Sequence, residues 1–229
     1  MSDTDWIRHP LLEEIGVVHG FGTRESSAPL DVLRPIQVHG ADVLRVEHDD
    51  LIGQDASARA DAIVCRSPGR SIAIVTADCL PILACCESGN AVAAIHAGWR
   101  GLAKGVVEAG VAALREISTP GERIRAVIGP HIGRCCYEVD EPVLEAMTLR
   151  FGAEAVRCAS TSTAATAPGH AQLSLAALAN VALERVGVFS ELRGTLADSC
   201  TSCEIQRFHS FRREGKSAGR MVHFIATAH

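Results

Sequence analysis

Two short, wholly apolar segments near the middle of the chain constrain its fold more than any other feature. Residues 82–85 and 91–95 contain only hydrophobic side chains, and the segment between them includes Gly89 and Asn90. An apolar run of this length, bounded by turn residues, is typical of a strand that is buried on both faces. We therefore expect a sheet that is covered on both sides by further strands or helices.

Five further segments predict strands, and three segments with an apolar stripe at helical spacing predict helices. The predicted strands are residues 43–47, 62–65, 72–75, 124–128 and 221–226. The predicted helices are residues 101–117, a helix that begins at Asp140 as N-cap and faces Val143, Met147 and Phe151 inward, and residues 174–185. Because strands outnumber helices and their order is irregular, an α+β fold with mixed sheets is favoured.

The length and organisation of the chain predict a single domain that spans residues 1–229. The sequence contains no internal repeat and no clear linker. Small and polar residues make up the segment 158–172, which predicts a surface loop rather than a domain boundary.

The composition excludes several classes of protein. Hydrophobic residues make up 47% of the chain, and 22 basic against 27 acidic residues give a formal charge of -5 without a basic stripe, so we expect no nucleic-acid partner. No uncharged apolar stretch reaches the ~18 residues of a membrane span, and the N-terminus lacks the layout of a signal peptide. Nine cysteines are an odd number, which favours reduced thiols. We therefore expect a cytoplasmic protein without membrane contact that binds a small molecule.

Groups with catalytic chemistry cluster at the ends of the predicted strands. His39 precedes one strand, Cys79 follows another, and His96 lies at the end of a third. Two imidazoles and one thiolate suit Zn²⁺, and a set of three ligands leaves one coordination position open for water or substrate. The separations of 40 and 17 residues match no compact ligand motif, so ordinary packing roles for these side chains stay open.

Five motifs together resemble one known family. They are QVHGADV, TADCLPILA, AAIHAGWRGL, IGPHIGRCCYEV and DSCTSCEIQRFHSFRREGKSAGRM. The chain is identified from them as a member of the YfiH family, also called laccase-domain proteins or peptidoglycan editing factors. The resemblance covers residues 17–225.

This resemblance implies a single-domain α/β/β/α sandwich and a zinc-dependent purine nucleoside phosphorylase. Such enzymes phosphorolyse adenosine, inosine, guanosine and methylthioadenosine, and they also deaminate adenosine, so purine nucleosides and phosphate are the implied partners. The metal ligands of the family fall on His39, Cys79 and His96 of this chain. Zinc is the implied ion, and copper is a less favoured alternative.

The resemblance also implies residues around the pocket. Arg24, Arg100 and the pair Arg212 and Arg213 are expected to line or border it. Arg100 follows the GWRG turn at the start of a predicted helix, where it would hold phosphate, and its alternative is a surface ion pair. Asp78 is the candidate proton shuttle, and its alternative is a turn or cap carboxylate.

The other cysteines carry weaker expectations. The adjacent pairs Cys85 with Cys86 and Cys135 with Cys136 predict buried small residues. Residues 200–203 form a CxxC motif, but no second CxxC is present to complete a four-cysteine site, so packing or a weakly reactive dithiol is favoured.

Three other functions compete with the zinc phosphorylase. A copper polyphenol oxidase needs histidines gathered in close pairs, whereas the ten histidines here are scattered without an HxH motif. A cysteine hydrolase that edits peptidoglycan precursors would use Cys79 as nucleophile and His96 as base. A non-enzymatic protein would bind only metal or nucleoside. The sequence leaves the oligomeric state, monomer or dimer, open.

The chain departs from the family pattern in its N-terminal part. Only twelve residues separate Arg24 from Gln37, where family members usually carry a longer segment. We therefore expect part of the pocket wall to be missing or rebuilt.

Overall fold

A six-stranded mixed sheet forms the centre of the protein. The computed structural model describes residues 6–27, 29, 31–46, 58–162, 167–197 and 199–228 of the chain. In chain order the strands of this sheet are β3 (Val43–Val46), β4 (Ala62–Cys65), β6 (Leu80–Cys86), β7 (Val92–Ala97), β8 (Ile124–Ile128) and β12 (Arg193–Thr195). Their spatial order is β12-β8-β6-β7-β4-β3. The two outer pairs are parallel and the three inner pairs are antiparallel.

Two smaller sheets accompany the central one. A four-stranded antiparallel sheet has the order β1-β2-β13-β5 and contains β1 (Trp6–Ile7), β2 (Val18–Gly22), β5 (Ser71–Thr76) and β13 (Met221–Ala226). A three-stranded sheet has the order β10-β11-β9 and contains β9 (Glu138–Val139), β10 (Ser160–Thr161) and β11 (Ala171–Leu173).

Seven α-helices occur in the described part of the chain. They are α1 (Pro10–Glu13), α2 (Trp99–Lys104), α3 (Val106–Ile117), α4 (Glu141–Phe151), α5 (Ala153–Ala159), α6 (Leu175–Arg185) and α7 (Phe211–Glu214). Two single turns of 3₁₀ helix are Ser190–Leu192 and Gly215–Ser217.

The two faces of the central sheet bury separate hydrophobic clusters. Every residue of β6 and β7 is buried. Side chains such as Ile82 and Ile95 pack against α3 and α6, whereas Leu83 packs with Ile72 and Ile225 of the four-stranded sheet. Full burial of one such side chain stabilises the fold by about 1.5–3 kcal/mol. The predicted fold, α+β with mixed sheets and a centre covered on both sides, is confirmed.

The predicted helix at residues 101–117 is wrong in one respect. The chain breaks at Gly105, whose φ of 85° ends α2 and starts α3. A left-handed φ is available to glycine at little cost and interrupts the helical ladder. The apolar stripe continues across the break, which is why the sequence pattern hides it.

The other predicted strands and helices all occur, and their boundaries differ from the structure by at most two residues. Ser174 caps α6 by accepting a hydrogen bond from the backbone of Ala177, whereas the N-cap Asp140 makes no such side-chain bond. The predicted surface loop at residues 158–172 contains the end of α5, all of β10 and the start of β11. Residue 47 of one predicted strand and residues 163–166 of that loop lie outside the described residues.

Candidate metal centre and its cavity

The three predicted metal ligands converge at one edge of the central sheet. One ligand atom each from His39, Cys79 and His96 lies within 4.8 Å of the others. Strand pairing explains this meeting, because Leu80 of β6 lies opposite Ala97 of β7 and so brings the preceding Cys79 next to His96. The rings of the two histidines form a T-shaped pair with centroids 4.9 Å apart.

A buried carboxylate, Asp61, fixes the imidazole of His96 and the backbone of His39. Its Oδ1 lies 2.8 Å from Nδ1 of His96, which leaves Nε2 of this ring free for the centre. The same carboxylate accepts backbone N–H bonds from Val38, His39 and Gly40 at 3.1, 2.9 and 2.6 Å. Metal-binding histidines typically donate their second N–H to such a carboxylate, so Asp61 would orient both the imidazole and the turn that carries His39.

The titratable groups of the site stabilise one another's charged forms. Burial alone would raise the pKa of Cys79, but hydrogen bonds from His39 and His96 lower it to about 6. Burial opposes protonation of His96, yet the bond to Asp61 and the contact with Cys79 raise its pKa to about 9. Burial likewise opposes ionisation of Asp61, and the bond from His96 lowers its pKa to about 2. The two histidines therefore favour the thiolate of Cys79, the form that binds metals and acts as nucleophile.

The missing side chain of Gly98 leaves space for the sulfur of Cys79. A Cβ at this position would lie 2.9 Å from Sγ of Cys79 and 3.3 Å from Cδ2 of His39. The φ of Gly98 is -77°, an ordinary value, so the position requires glycine for space and not for backbone conformation.

The donor set fits zinc. Two imidazoles and one thiolate from three separate segments are typical of a catalytic zinc site, in which three protein ligands leave a fourth position to water or substrate. The Asp61 carboxylate supplies the outer contact that such sites usually contain.

The three ligands lie in the wall of a cavity of about 710 Å³, which is within the range of small-molecule sites. Four arginines line this cavity: Arg34, Arg100, Arg212 and Arg220. Ile36 and Phe211 line it as well, and they are exposed by 48% and 50%. The cavity therefore combines cationic groups with exposed apolar surface.

Two of the predicted pocket arginines face the cavity, and two have other partners. Arg100 stacks on Trp99, with its guanidinium carbon 4.3 Å from the ring centroid, and it has no carboxylate partner among the described residues. Arg212 packs over Tyr137 and donates to the carbonyl of Glu138 at 2.9 Å.

Arg24 and Arg213 do not line the cavity within the described part of the chain. Arg24 donates to the carbonyl of Phe208 and pairs with Glu214, and Arg213 donates to the carbonyls of Thr201 and Ser202. Both guanidiniums therefore hold the 201–214 segment together.

Asp78 lines the cavity, but both of its carboxylate oxygens already have donors. The hydroxyl of Thr201 donates to Oδ1 and the backbone N–H of Arg212 donates to Oδ2, each at 2.6 Å. The carboxylate is thus an acceptor that joins the β5–β6 turn to the segment carrying Arg212.

Several residues of the site were not predicted from the sequence. Asp61 stands directly before the wholly apolar strand β4, where an acidic residue is unusual. This position was the only sequence feature that could have indicated its role. Arg34 lies in a segment without a recognisable motif, and Arg220 lies at the end of the fifth motif without an expected role, so only the fold places them at the cavity.

The prediction for two of the cysteines is wrong. Cys135 is exposed and Cys136 is half-buried, whereas Cys85 and Cys86 are buried as predicted. The sulfur atoms of four cysteines lie within 4.8 Å of one another; we call this the four-cysteine cluster, and it consists of Cys135, Cys136, Cys200 and Cys203. A second CxxC motif was expected for a four-cysteine site, but the adjacent pair Cys135 and Cys136 supplies the two further sulfurs.

Comparison with known proteins identifies the family. Residues 23–228 match the family described as multi-copper polyphenol oxidoreductase laccase. The chain belongs to this laccase-like family. Two relatives carry the name purine nucleoside phosphorylase YfiH, one from Shigella flexneri and one from Escherichia coli (strain K12). Each is 42% identical over 190 residues, which cover 82% of this chain and 71% of the relative.

A solved structure shows the same architecture as this laccase-like chain. The hypothetical protein YfiH from Bacillus licheniformis superposes with a TM-score of 0.80 at 28% identity, and the match covers 92% of each chain. The predicted membership of the YfiH family is therefore confirmed. Within the described residues, no helix has the length and hydropathy needed to cross a bilayer.

Proposed function

We propose that this chain is a zinc-dependent purine nucleoside phosphorylase that acts on adenosine, inosine, guanosine and methylthioadenosine and also deaminates adenosine. We propose further that residues 1–229 form one catalytic domain. The observation that carries the proposal is the convergence of His39, Cys79 and His96 at a cavity lined by arginines. The names of the relatives from Shigella flexneri and Escherichia coli support the same activity.

His39, Cys79 and His96 would hold the zinc ion, with Asp61 orienting the imidazole of His96. When bound there, zinc supplies a Lewis acid beside the substrate. All other parts of the proposed mechanism rest on side chains of this chain.

Phosphorolysis requires that an anion be held close to the nucleoside. An oxygen of phosphate forms a bond with C1′ while the bond from C1′ to N9 breaks, and the purine keeps the electron pair and gains a proton. Arg100 projects into the cavity without a carboxylate partner among the described residues. A planar guanidinium of this kind binds phosphate with two parallel hydrogen bonds, so Arg100 would position the nucleophile.

The exposed apolar side chains of the cavity suit the purine ring. Phe211 is 50% exposed although it lines a concave surface. Stacking of a base on an aromatic face contributes about 1–3 kcal/mol. Phe211 would therefore hold the base, and Phe211→Ala should raise KM for the nucleoside more than it lowers kcat.

Asp78 has two candidate roles, the proton shuttle inferred from sequence and the positioning of Arg212. Its present hydrogen bonds favour positioning, because a shuttle would have to release Thr201 or the Arg212 backbone first. Asp78→Asn should then raise KM for phosphate and nucleoside with a smaller change in kcat. A loss confined to kcat, together with loss of one limb of the pH profile, would restore the shuttle role.

The proposed function is tested by product analysis on the purified protein with measured metal content. Incubation with adenosine and phosphate should yield adenine and ribose 1-phosphate, and this reaction should stop when phosphate is omitted, as should release of hypoxanthine from inosine. Inosine should form with or without phosphate. Chelation, or Cys79→Ala, should abolish all products, while Cys158→Ala, which changes an exposed cysteine outside the site, should leave them unchanged. Metal-loaded protein that forms no phosphate-dependent product would contradict the proposal.

A cysteine hydrolase is the second candidate, because one observation favours it. Asp61, His96 and Cys79 form a continuous chain of contacts, and the pKa of the thiol is lowered to about 6, below its ordinary value, because the bonds from the two histidines outweigh its burial. A hydrolase of this type acts without metal. Its activity would survive chelation and be lost on alkylation of Cys79, whereas the zinc enzyme loses activity under both treatments.

Copper remains the less favoured ion. Two histidines and one cysteine also bind copper in blue-copper sites, usually with a weak axial methionine. Neither described methionine, Met147 or Met221, lines the cavity. Copper content with an intense visible absorption band would overturn the assignment of zinc.

A further inference from the structure

The four-cysteine cluster has the geometry of a metal site. The distance from Cys135 to Cys200 and from Cys135 to Cys203 is 3.6 Å between sulfurs, and Cys136 lies 3.4 Å from Cys203. Four sulfurs at about 2.3 Å from one ion lie about 3.8 Å apart when their arrangement is tetrahedral. The sulfurs of a disulfide are separated by only about 2.0 Å. The sulfur–sulfur distances of the cluster are therefore close to those of a tetrahedral metal site and are too long for disulfide bonds.

We propose that Cys135, Cys136, Cys200 and Cys203 bind a second zinc ion, distinct from the ion proposed at His39, Cys79 and His96. A closed set of four thiolates is the ligand pattern of a structural zinc site. The site would have no open position and no direct part in the reaction.

The backbone around the cluster is arranged to support thiolates. The N–H of Gly133 donates to the sulfur of Cys200 at 3.2 Å. A Cβ at Gly133 would lie 3.2–3.3 Å from Cys135 and Cys200, so the turn approaches the sulfurs closely. Such N–H bonds to sulfur stabilise the charge that metal ligands carry.

The electrostatics of the cluster call for a cation. Four thiolates at these distances repel one another unless a divalent ion lies between them. With zinc the site keeps a charge of about -2, and Arg213 places its guanidinium on the carbonyls of Thr201 and Ser202 in the same turn.

Hydrophobic packing does not explain the cluster. Cys135 and Cys203 are exposed, and Cys136 and Cys200 are only half-buried. Cysteines that serve as small core residues are usually among the most buried side chains, as Cys85 and Cys86 are here. Four cysteines that meet at the surface therefore need another explanation, and metal binding supplies it.

The proposed ion would join two segments of the chain that lie next to the cavity. It would join the turn after β8, which carries Cys135 and Cys136, to the segment that carries Cys200 and Cys203. Thr201 lies in that segment and donates to Asp78, and Arg212 donates to the carbonyl of Glu138. A zinc ion here would thus fix the wall that positions Arg212 and Tyr137.

Metal counting on the full chain tests this second site. Protein loaded with zinc under reducing conditions should contain two ions per chain by mass spectrometry. The double variant C200S/C203S should contain one ion, Cys79→Ala should contain one, and Cys158→Ser should keep both. If the site at Cys79 held no zinc, the wild type would contain one ion and the double variant none, so the ion lost with C200S/C203S tests this inference independently of the proposed function. One ion in the wild type and in the double variant alike would overturn the inference.

A second measurement uses the unaltered chain in case the double variant does not fold. The exposed thiols of Cys135 and Cys203 should react with a maleimide at least tenfold more slowly than the exposed thiol of Cys158 while metal is bound, and at a similar rate after chelation. Equal rates before chelation would overturn the inference. Labelling that appears only after treatment with a reductant would also overturn it, because it would show disulfides.

Discussion

Two residues beside the proposed metal centre hold a backbone conformation that non-glycine residues rarely adopt. His39 has a φ of 56° and Asp78 a φ of 89°. Such conformations cost of order 1–3 kcal/mol each and persist where the surroundings determine them. Here Asp61 holds the backbone of His39, while Thr201 and the Arg212 backbone hold the side chain of Asp78. The backbone strain therefore lies at His39, a proposed ligand, and at Asp78, the residue before the proposed ligand Cys79.

The Asp61 carboxylate is the first target at the scale of single residues. Asp61→Asn removes the charged acceptor that fixes His96 and the 38–40 turn. Loss of such an outer contact typically weakens metal affinity by about 10- to 100-fold. We expect this loss in a competition titration of zinc against a chelator. Asp140→Asn, at an exposed N-cap without a side-chain bond, is the control and should leave the affinity unchanged.

The space at Gly98 gives a second prediction for a single residue. Gly98→Ala places a methyl group 2.9 Å from the sulfur of Cys79 without changing the backbone conformation. Because the sulfur or the strand must move, we expect less zinc per chain and lower activity with little change in thermal stability. Unchanged occupancy at sub-stoichiometric zinc would show that the sulfur is not a ligand.

At the scale of secondary structure, the sequence predicted the strands that hold the ligands and missed the irregular connections. The tight turn between β6 and β7 sets a register that places Cys79 beside His96, so the pattern of apolar runs is nearly sufficient for this half of the site. The meeting of the CxxC segment with the turn after β8 depends on a bridge between His131 and Cys200. Contacts between residues so far apart leave no local pattern, which is why the four-cysteine cluster was not predicted.

The break between α2 and α3 gives a prediction at the same scale. Gly105 and Gly121 have φ values of 85° and 87°, but only Gly105 has a neighbour, the Arg150 guanidinium, 2.7 Å from a Cβ built there. Gly121→Ala should lower the free energy of unfolding by about 1 kcal/mol through backbone strain alone. Gly105→Ala should lower it further, because Arg150 must leave its ion pair with Glu108. Equal losses in urea titrations would show that this ion pair contributes nothing.

At the scale of the whole molecule, the fold places the three-ligand site in the wall of the cavity, and it places the four-cysteine cluster on segments next to the cavity-lining residues Tyr137 and Arg212. The central sheet contributes the ends of β6 and β7, and the segment between β12 and β13 closes over them with Arg212 and Phe211. The resemblance of the motifs predicted the family and the ligand set. It did not predict that Arg24 and Arg213 both donate to the carbonyl of Phe208 instead of lining the cavity. These contacts depend on the folded path of the 201–214 segment, which no sequence motif specifies.

Buried histidines make the stability of the whole fold depend on pH. Burial lowers the pKa of His223 to about 3, and burial also lowers the pKa of His19 and of His131. The unfolded chain binds these protons near pH 6.5, so stability is fully present above that pH and is lost as the pH falls from about 6.5 towards 3. One such histidine contributes a slope of up to about 1.4 kcal/mol per pH unit in this range.

The contribution of His223 is separable by a variant. His223 contacts Thr76 and the Gly22 backbone, which glutamine also reaches through its amide. Between pH 6 and 4, the free energy of unfolding should fall less steeply in His223→Gln than in the wild type, by up to about 1.4 kcal/mol per pH unit. Release of metal in acid affects both proteins alike. Parallel curves for the two proteins would contradict the assignment of a neutral, buried His223.

Anomalous diffraction at the zinc edge from crystals of the zinc-loaded chain tests the central claim most directly. The account predicts a peak about 2.0–2.1 Å from a ring nitrogen of His39 and of His96 and about 2.3 Å from the sulfur of Cys79, with an open side towards Arg100 and the cavity. A zinc-loaded crystal with no peak between these three side chains, or with the peak sealed from the cavity, would contradict it.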